Sequence, residues 1–190
     1  MSARYRIEGY AIVSADGMIA DSGGHMPDAL NNAADKKEFG RGLDHVDVVV
    51  HGRNSREDRP DSLRRRRLVV TRRIAAIAPD PDNANAMLWN PAGASFDEAC
   101  AALGLASGVA AVIGGPGVYS LFLDIGYDVF HLTRSARVEL PGGLPIFAQG
   151  RQGRSPEEVL RRFGLEPGSA RTLDEAKGVS VVDWRRKASA

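Results

Sequence analysis

Short, continuous apolar runs closed on both sides by turn-forming residues constrain this chain more than any other feature. Asp47-Val48-Val49-Val50, Leu68-Val69-Val70 and Val109 to Ile113 are such runs, and they lack the polar–apolar alternation of a half-exposed strand. They read as strands covered on both faces, the mark of a parallel sheet held between helices. Helix signals fall between them. Asn31-Asn32 can cap a helix running to about Leu43. Ser95 and Glu98 form a capping box for a helix through Leu103, with Gly104 as its stop. Gly114-Gly115-Pro116-Gly117 opens a helix over residues 118–124, and Ser155, Pro156 and Glu158 start a last one that Gly164 ends.

The remaining segments complete an α/β pattern. Residues 9–20 read as a strand, a turn at Asp16-Gly17 and a short extended return, after which Gly23-Gly24 and Pro27 keep the chain irregular. Asp128 to Thr133 and Val179 to Trp184 are further strands, and the tail from Arg185 to Ala190 reads as frayed. The expectation is one domain with a mostly parallel twisted sheet flanked by helices. An antiparallel edge is expected toward the C-terminus, where little helix separates the strands. The last helix and strand could cover a sheet edge or build a partner interface.

Bulk properties exclude several classes. The net charge of +1 over 190 residues gives no global reason to bind nucleic acid or a membrane surface. Cys100 is the only cysteine, so no intrachain disulfide forms, and His25, His45, His51 and His131 make no ligand pair at helical spacing. No metal is expected. No N-terminal segment is apolar enough for a signal peptide or a membrane span, which makes a reducing cytoplasm the simplest compartment.

Five features bear on chemistry. Val112-Ile113-Gly114-Gly115-Pro116-Gly117-Val118-Tyr119 runs from buried strand through glycines into a helix, whose N–H groups and dipole suit a pyrophosphate. It is not the GxGxxG fingerprint, and a tight turn without ligand would look the same. His51-Gly52-Arg53-Asn54-Ser55 also follows a strand and offers donors for phosphate, or is simply an exposed loop start. Residues 53–73 hold nine arginines against Glu57, Asp58 and Asp61, a local excess of +6. That excess suits a polyanion, with Thr71-Arg72-Arg73 placed for a ribose 2′-phosphate, or is a solvated face. Asp35 and Phe39 lie one turn apart on one helical face. A buried Asp35 would have a raised pKa and could deliver a proton, but an acid at the third helical position is also favoured by the helix end itself. Thr133, at a strand end, could hydrogen-bond a buried carboxylate or serve β-propensity alone.

Taken in order, these segments resemble the dihydrofolate reductase superfamily, including the reductase domain of the bifunctional riboflavin-biosynthesis deaminase-reductases. The resemblance covers about residues 5–147. Ser14-Ala15-Asp16-Gly17-Met18-Ile19-Ala20 resembles the S-x-D-G-x-I-A of the riboflavin branch, and Gly52 to Ser55 the G-R-x-[ST] step. Val69-Val70-Thr71-Arg72 resembles the strand end that takes the 2′-phosphate, and Ile113 to Tyr119 is similar to the I-G-G-x-x-[VI]-Y signature. Ser95 to Ala99, Tyr127 to Thr133 and Leu144 to Phe147 complete the order.

The resemblance implies a dihydrofolate reductase-like fold, NADPH as cofactor and hydride transfer to a C=N or C=O bond of a small heterocycle. It places Ala11 and Ile19 near the nicotinamide. Gly52, Arg53, Asn54, Ser55, Thr71 and Arg72 fall on the adenosine side, and Ile113, Gly114, Gly115, Pro116, Gly117, Val118 and Tyr119 on the pyrophosphate. Ile12, Asn32, Asp35 and Phe39 face the substrate, with Thr133 matching the threonine that bonds the acid. There are departures. Lys36 and Lys37 replace residues that would line a folate pocket, Asn31-Asn32 stands where the riboflavin branch often has serines, and residues 151–190 extend past the usual folate enzyme. The substrate therefore stays open between a ribosylamino-pyrimidine, a pterin or folate as in dihydrofolate reductase proper, and another carbonyl or imine. A nucleotide- or nucleic-acid-binding protein without turnover is the reading from a different class. The resemblance leaves a homodimer open.

Overall fold

A computed structural model describes residues 4–55 and 62–187. The segment 56–61, with Arg56, Arg59 and the three acids counted in the basic segment, lies outside the described residues.

The fully apolar runs become the inner strands of one sheet. In chain order the strands are β1 (Tyr5–Ser14), β2 (Met18–Ala20), β3 (Val48–Gly52), β4 (Arg67–Val70), β5 (Ile77–Pro79), β6 (Ala86–Trp89), β7 (Gly108–Val112), β8 (Val129–Ser135), β9 (Leu144–Pro145), β10 (Leu165–Pro167), β11 (Arg171–Asp174) and β12 (Val179–Arg186). The helices are α1 (Ala33–Leu43), α2 (Phe96–Ala102), α3 (Pro116–Ile125) and α4 (Pro156–Arg162). The large sheet runs β10-β12-β8-β1-β7-β3-β4-β6-β5, with β11 paired to β12, while β2 pairs with β9 in a separate two-stranded ladder. Every neighbour pair from β8 to β6 is parallel. The expected antiparallel C-terminal edge is present, since β12 runs against β8 with Val181 opposite Thr133.

Alternation along the strands divides the core. Ile7, Val13, Val48, Val50, Leu68, Ala110 and Val112 turn to one face and pack with Phe96 and Cys100 of α2, Val118 and Phe122 of α3, and Val159 and Leu160 of α4. Tyr10, Val49 and Ala111 turn to the other face and meet Leu43 and Phe39 of α1. Both capping boxes form, at Ser95 with Glu98 and at Ser155 with Glu158. Among the described residues no helix is long and apolar enough to cross a membrane.

Three expectations need correction. The helix after the glycines starts at Pro116, two residues before the expected Val118, because proline at the first helical position gives up only an N–H that has no intrahelical partner. The tail is not frayed from Arg185: β12 runs through Arg186, where Arg185 pairs with Val129 and Arg186 with Leu165. The short strands β5, β6, β10 and β11 carry no strand pattern of their own in the sequence reading above. β6 is four residues without a β-branched side chain, and it is held as a strand by pairing with β4 from Arg67↔Ala86 to Val70↔Trp89.

Candidate active site

Parallel strands bring their C-terminal ends to one edge of the sheet, the usual place for a ligand on such a fold. Here that edge carries Ser14 of β1, Gly52 of β3, Val70 of β4 and Ile113 just past β7, whose N–H bonds Val50 O at 3.0 Å. The motifs far apart in sequence meet there.

At one end two glycine segments face each other. Gly52 N–H donates to Gly114 O at 2.7 Å, and Ser55 N–H to Gly52 O at 3.0 Å. A Cβ on Gly115 would sit 3.1 Å from Ser55 Oγ. Gly114 has φ of +118°, a left-handed conformation that favours glycine, and the Gly114–Gly115 peptide is cis. Gly115 is the N-cap of α3 and makes no side-chain cap hydrogen bond, and a Cβ on Gly117 would meet nothing within 4 Å. The result is a helix N-terminus without a side-chain cap bond beside the glycine at the end of β3. Next to it, Arg53 and Asn54 are exposed. Arg72 is exposed one residue past the buried Thr71, whose hydroxyl accepts from Arg73 N at 3.2 Å. Val118 and Tyr119 are buried and serve as the wall behind the cradle.

At the other end lies the acid. Asn32 is the cap of α1, its Oδ1 accepting from Ala34 N at 2.9 Å and Asp35 N at 3.1 Å. Asp35 therefore occupies the third helical position, half-buried, with the Thr133 hydroxyl among the groups that act on its carboxyl. Burial pushes the Asp35 carboxyl above its ordinary value, Thr133 pulls it down, and the neighbouring Glu38 charge pushes it up. Thr133 pairs in register with Ile12 of β1. Phe39, Ile113 and Tyr10 pack together beside this point, with the Phe39 and Tyr10 rings edge to face at 5.9 Å. Ala11 and Ile19 lie half-buried against the larger core. Asn32 differs from the other candidates. Its carbonyl caps α1 and its amide donates to Asp174 Oδ2 at 2.9 Å, so both polar ends are engaged by the protein.

The loop between β1 and β2 closes over the same edge. Ser14 Oγ donates to Asp16 Oδ1 at 2.5 Å and accepts from Met18 N at 2.9 Å. Arg134 donates to the carbonyls of Ser14 and Ala15 at 2.9 and 2.7 Å and pairs with Glu157 of α4. Comparison by sequence finds no matching family model and no matching curated protein. Comparison by structure finds clear matches. A candidate riboflavin biosynthesis protein from a Shewanella species superposes with a TM-score of 0.66 at 22% identity, covering 96% of this chain and 99% of that one. A diaminohydroxyphosphoribosylaminopyrimidine deaminase/5-amino-6-(5-phosphoribosylamino)uracil reductase from Thermotoga maritima superposes with a TM-score of 0.64 at 17% identity, covering 97% of this chain and 57% of that one. A dihydrofolate reductase from Enterococcus faecalis complexed with NADP(H) superposes with a TM-score of 0.59 at 16% identity, covering 95% and 96%.

The fold is that of dihydrofolate reductase.

On this dihydrofolate reductase fold the described arginines of the basic segment take different environments. Arg67 is buried and its Nε donates to Ser62 O at 2.9 Å, while Arg65 donates to Leu43 O and pairs with Asp44 at 3.2 Å. Those two arginines are tied to the protein's own carbonyls, while Arg53, Arg64, Arg66, Arg72 and Arg73 are exposed, with Arg53 and Arg72 following the C-terminal ends of β3 and β4. Tyr10, Glu8 and Arg134 escaped sequence reading. Tyr119 donates its hydroxyl to Tyr10 O at 2.6 Å, and Tyr10 in turn donates to Glu8 Oε2 at 2.6 Å. His131 and the hydrogen bonds from Tyr10 and Arg6 hold the Glu8 carboxyl low, at about 2. Arg134 is the third, a charge inside the strand pattern of β8 that could have drawn notice for its position alone.

Proposed function

We propose that the protein binds NADPH along the C-terminal edge of its parallel strands and reduces a C=N or C=O bond of a small heterocycle of the pterin or ribosylamino-pyrimidine type. The observation that carries this reading is the juxtaposition of two built features on one edge. One is the glycine cradle of Gly52 and Gly114 to Gly117, and the other is the half-buried Asp35 with the buried Thr133, beside Ile12 and Phe39.

The residues present fit the cofactor. A Cβ at Gly52 would occupy the ground between the β3 end and the start of α3, so glycine there leaves room for a pyrophosphate. The exposed Arg53, Arg72 and Arg73 suit a 2′-phosphate, because guanidinium groups pair well with phosphate. Bound NADPH supplies the hydride. The chain's own task is then to orient the ring, exclude water and provide a proton. Phe39, Ile12 and Ile113 would supply apolar surface for the ring to lie against. Asp35, kept protonated to higher pH by burial, holds a proton at its carboxyl oxygen and delivers it to the substrate nitrogen or oxygen, directly or through water. Thr133 fixes the carboxyl orientation from the sheet.

Titration with NADPH and NADH, followed by the fluorescence of Trp89 and Trp184, tests the cofactor assignment. Tighter NADPH binding is expected, and Arg72→Ala should weaken NADPH far more than NADH. Equal losses for the two would remove Arg72 from recognition of the 2′-phosphate, and no binding of either would remove the reductase reading.

A further inference from the structure

The helix that carries Asp35 is fastened from outside the cleft by a strand that contributes nothing to the cradle. Arg171 of β11 donates to Glu38 Oε1 at 2.6 Å. Glu38 lies three residues beyond Asp35, one helical turn away on the same side of α1, and its charge acts on the Asp35 carboxyl. Asp174, at the end of β11, accepts the Asn32 amide at 2.9 Å, and its other oxygen accepts from Lys177 N at 3.0 Å. The contact with Asp174 settles which end of the Asn32 side chain faces α1: the amide nitrogen is committed outward, so the oxygen is left to cap Ala34 N and Asp35 N.

We propose that β11 is a positioning element for the acid, with Arg171 neutralising Glu38 and Asp174 fixing the Asn32 cap so that Asp35 is held against Thr133. The inference rests on the reading of Asp35 as proton donor, and it assigns Arg171 and Asp174 as positioning residues, since neither touches the cleft's reacting end. The two contacts act in opposite directions on Asp35. The Arg171 cation, at 2.6 Å, offsets the anionic Glu38 more closely than Arg41 of α1 at 3.9 Å, so its loss leaves more negative charge beside the acid and favours the protonated form. The Asp174 contact keeps the first turn of α1 closed, so its loss lets water reach the carboxyl and favours the ionised form. The groups facing Asp35 are Glu38 on its own helix, Thr133 on β8, and Tyr119 on α3, whose hydroxyl is already committed to Tyr10 O.

The test follows the Asp35 carboxyl directly by carbon-13 NMR titration of the full chain, in wild type and in Arg171→Gln, Arg171→Lys and Asp174→Ala. The pH dependence of turnover is measured alongside. Arg171→Gln should move the Asp35 midpoint up and raise the rate on the alkaline limb by roughly two- to threefold, a surface-pair effect. Arg171→Lys should restore it, and Asp174→Ala should move the midpoint down, with NADPH affinity unchanged in all three. Midpoints that stay put, or that move together in one direction, overturn the proposal. Midpoints that move as stated in a protein that never oxidises NADPH leave β11 as the element that positions Asp35 and remove the reductase reading instead.

Discussion

Replacing Gly52 by alanine separates the needs of the fold from the needs of a ligand. An added Cβ would lie 3.6 Å from Val118 Cγ2, 3.7 Å from Gly115 N and 3.9 Å from Gly114 O, all ordinary contacts. Gly52 is not among the glycines with positive φ, so the strand end accepts alanine without strain. The folded protein should become more stable by about 0.4–1 kcal/mol, because alanine restricts the unfolded chain more than glycine does. The same methyl group intrudes between β3 and the uncapped start of α3. Holding a phosphate away from one backbone N–H there forfeits a hydrogen bond to a charged group, about 1.5–3 kcal/mol. That corresponds to a loss of roughly ten- to 150-fold in NADPH affinity. Thermal unfolding and fluorescence titration on the same sample read both effects. Unchanged affinity in a protein that is as stable as wild type would refute the reasoning, because it would place the ligand away from this glycine.

Other outcomes follow from the acid and the core. Asp35→Asn should abolish turnover with NADPH affinity retained. The folded carboxyl lies above its unfolded value, so its contribution is present at low pH and lost as pH rises through that raised value. The asparagine variant should accordingly unfold at a higher temperature than wild type at neutral pH and lose that advantage in acid, read by thermal melts across pH. Thr133→Val removes the one hydroxyl that lowers the Asp35 carboxyl. It should shift the alkaline limb of activity to higher pH and cost about 1–3 kcal/mol at neutral pH, where the carboxylate is left with an unmet partner. Phe122 is fully buried with its ring 5.3 Å from Phe96 and 6.2 Å from Trp89 and Tyr127. Phe122→Ala should cost about 3–5 kcal/mol in denaturant unfolding, without a selective effect on cofactor binding.

What was legible in the sequence is what short-range physics writes there. Capping residues mark helix starts one residue at a time, which is why Asn32, Ser95 and Ser155 each stand at the cap of their helix. Runs such as Val48 to Val50 and Val109 to Ile113 announce burial on both faces. β6 and β11 were not legible because pairing partners create them: Ala86–Trp89 has only Trp89 to favour a strand, and β11 exists by its register with β12. The position of Asp35 could be read, but the choice between a helix-end acid and a proton donor could not. That choice depends on where the carboxylate points, and only the approach of β8, some hundred residues later, brings Thr133 to it. The arginine run was open in a similar way, since Arg65 and Arg67 reach the carbonyls of Leu43 and Ser62, which no local pattern reveals.

The most direct test of the account is transfer of label. The protein is incubated with NADPH deuterated at its hydride-donating carbon and a panel of dihydrofolate, dihydropterins and ribosylamino-pyrimidines, and the products are weighed by mass spectrometry. The account predicts one deuterium in a reduced heterocycle, formed by wild type and not by Asp35→Asn. Firm NADPH binding with no deuterium in any product would contradict it, and would leave a dinucleotide-binding protein on the dihydrofolate reductase fold.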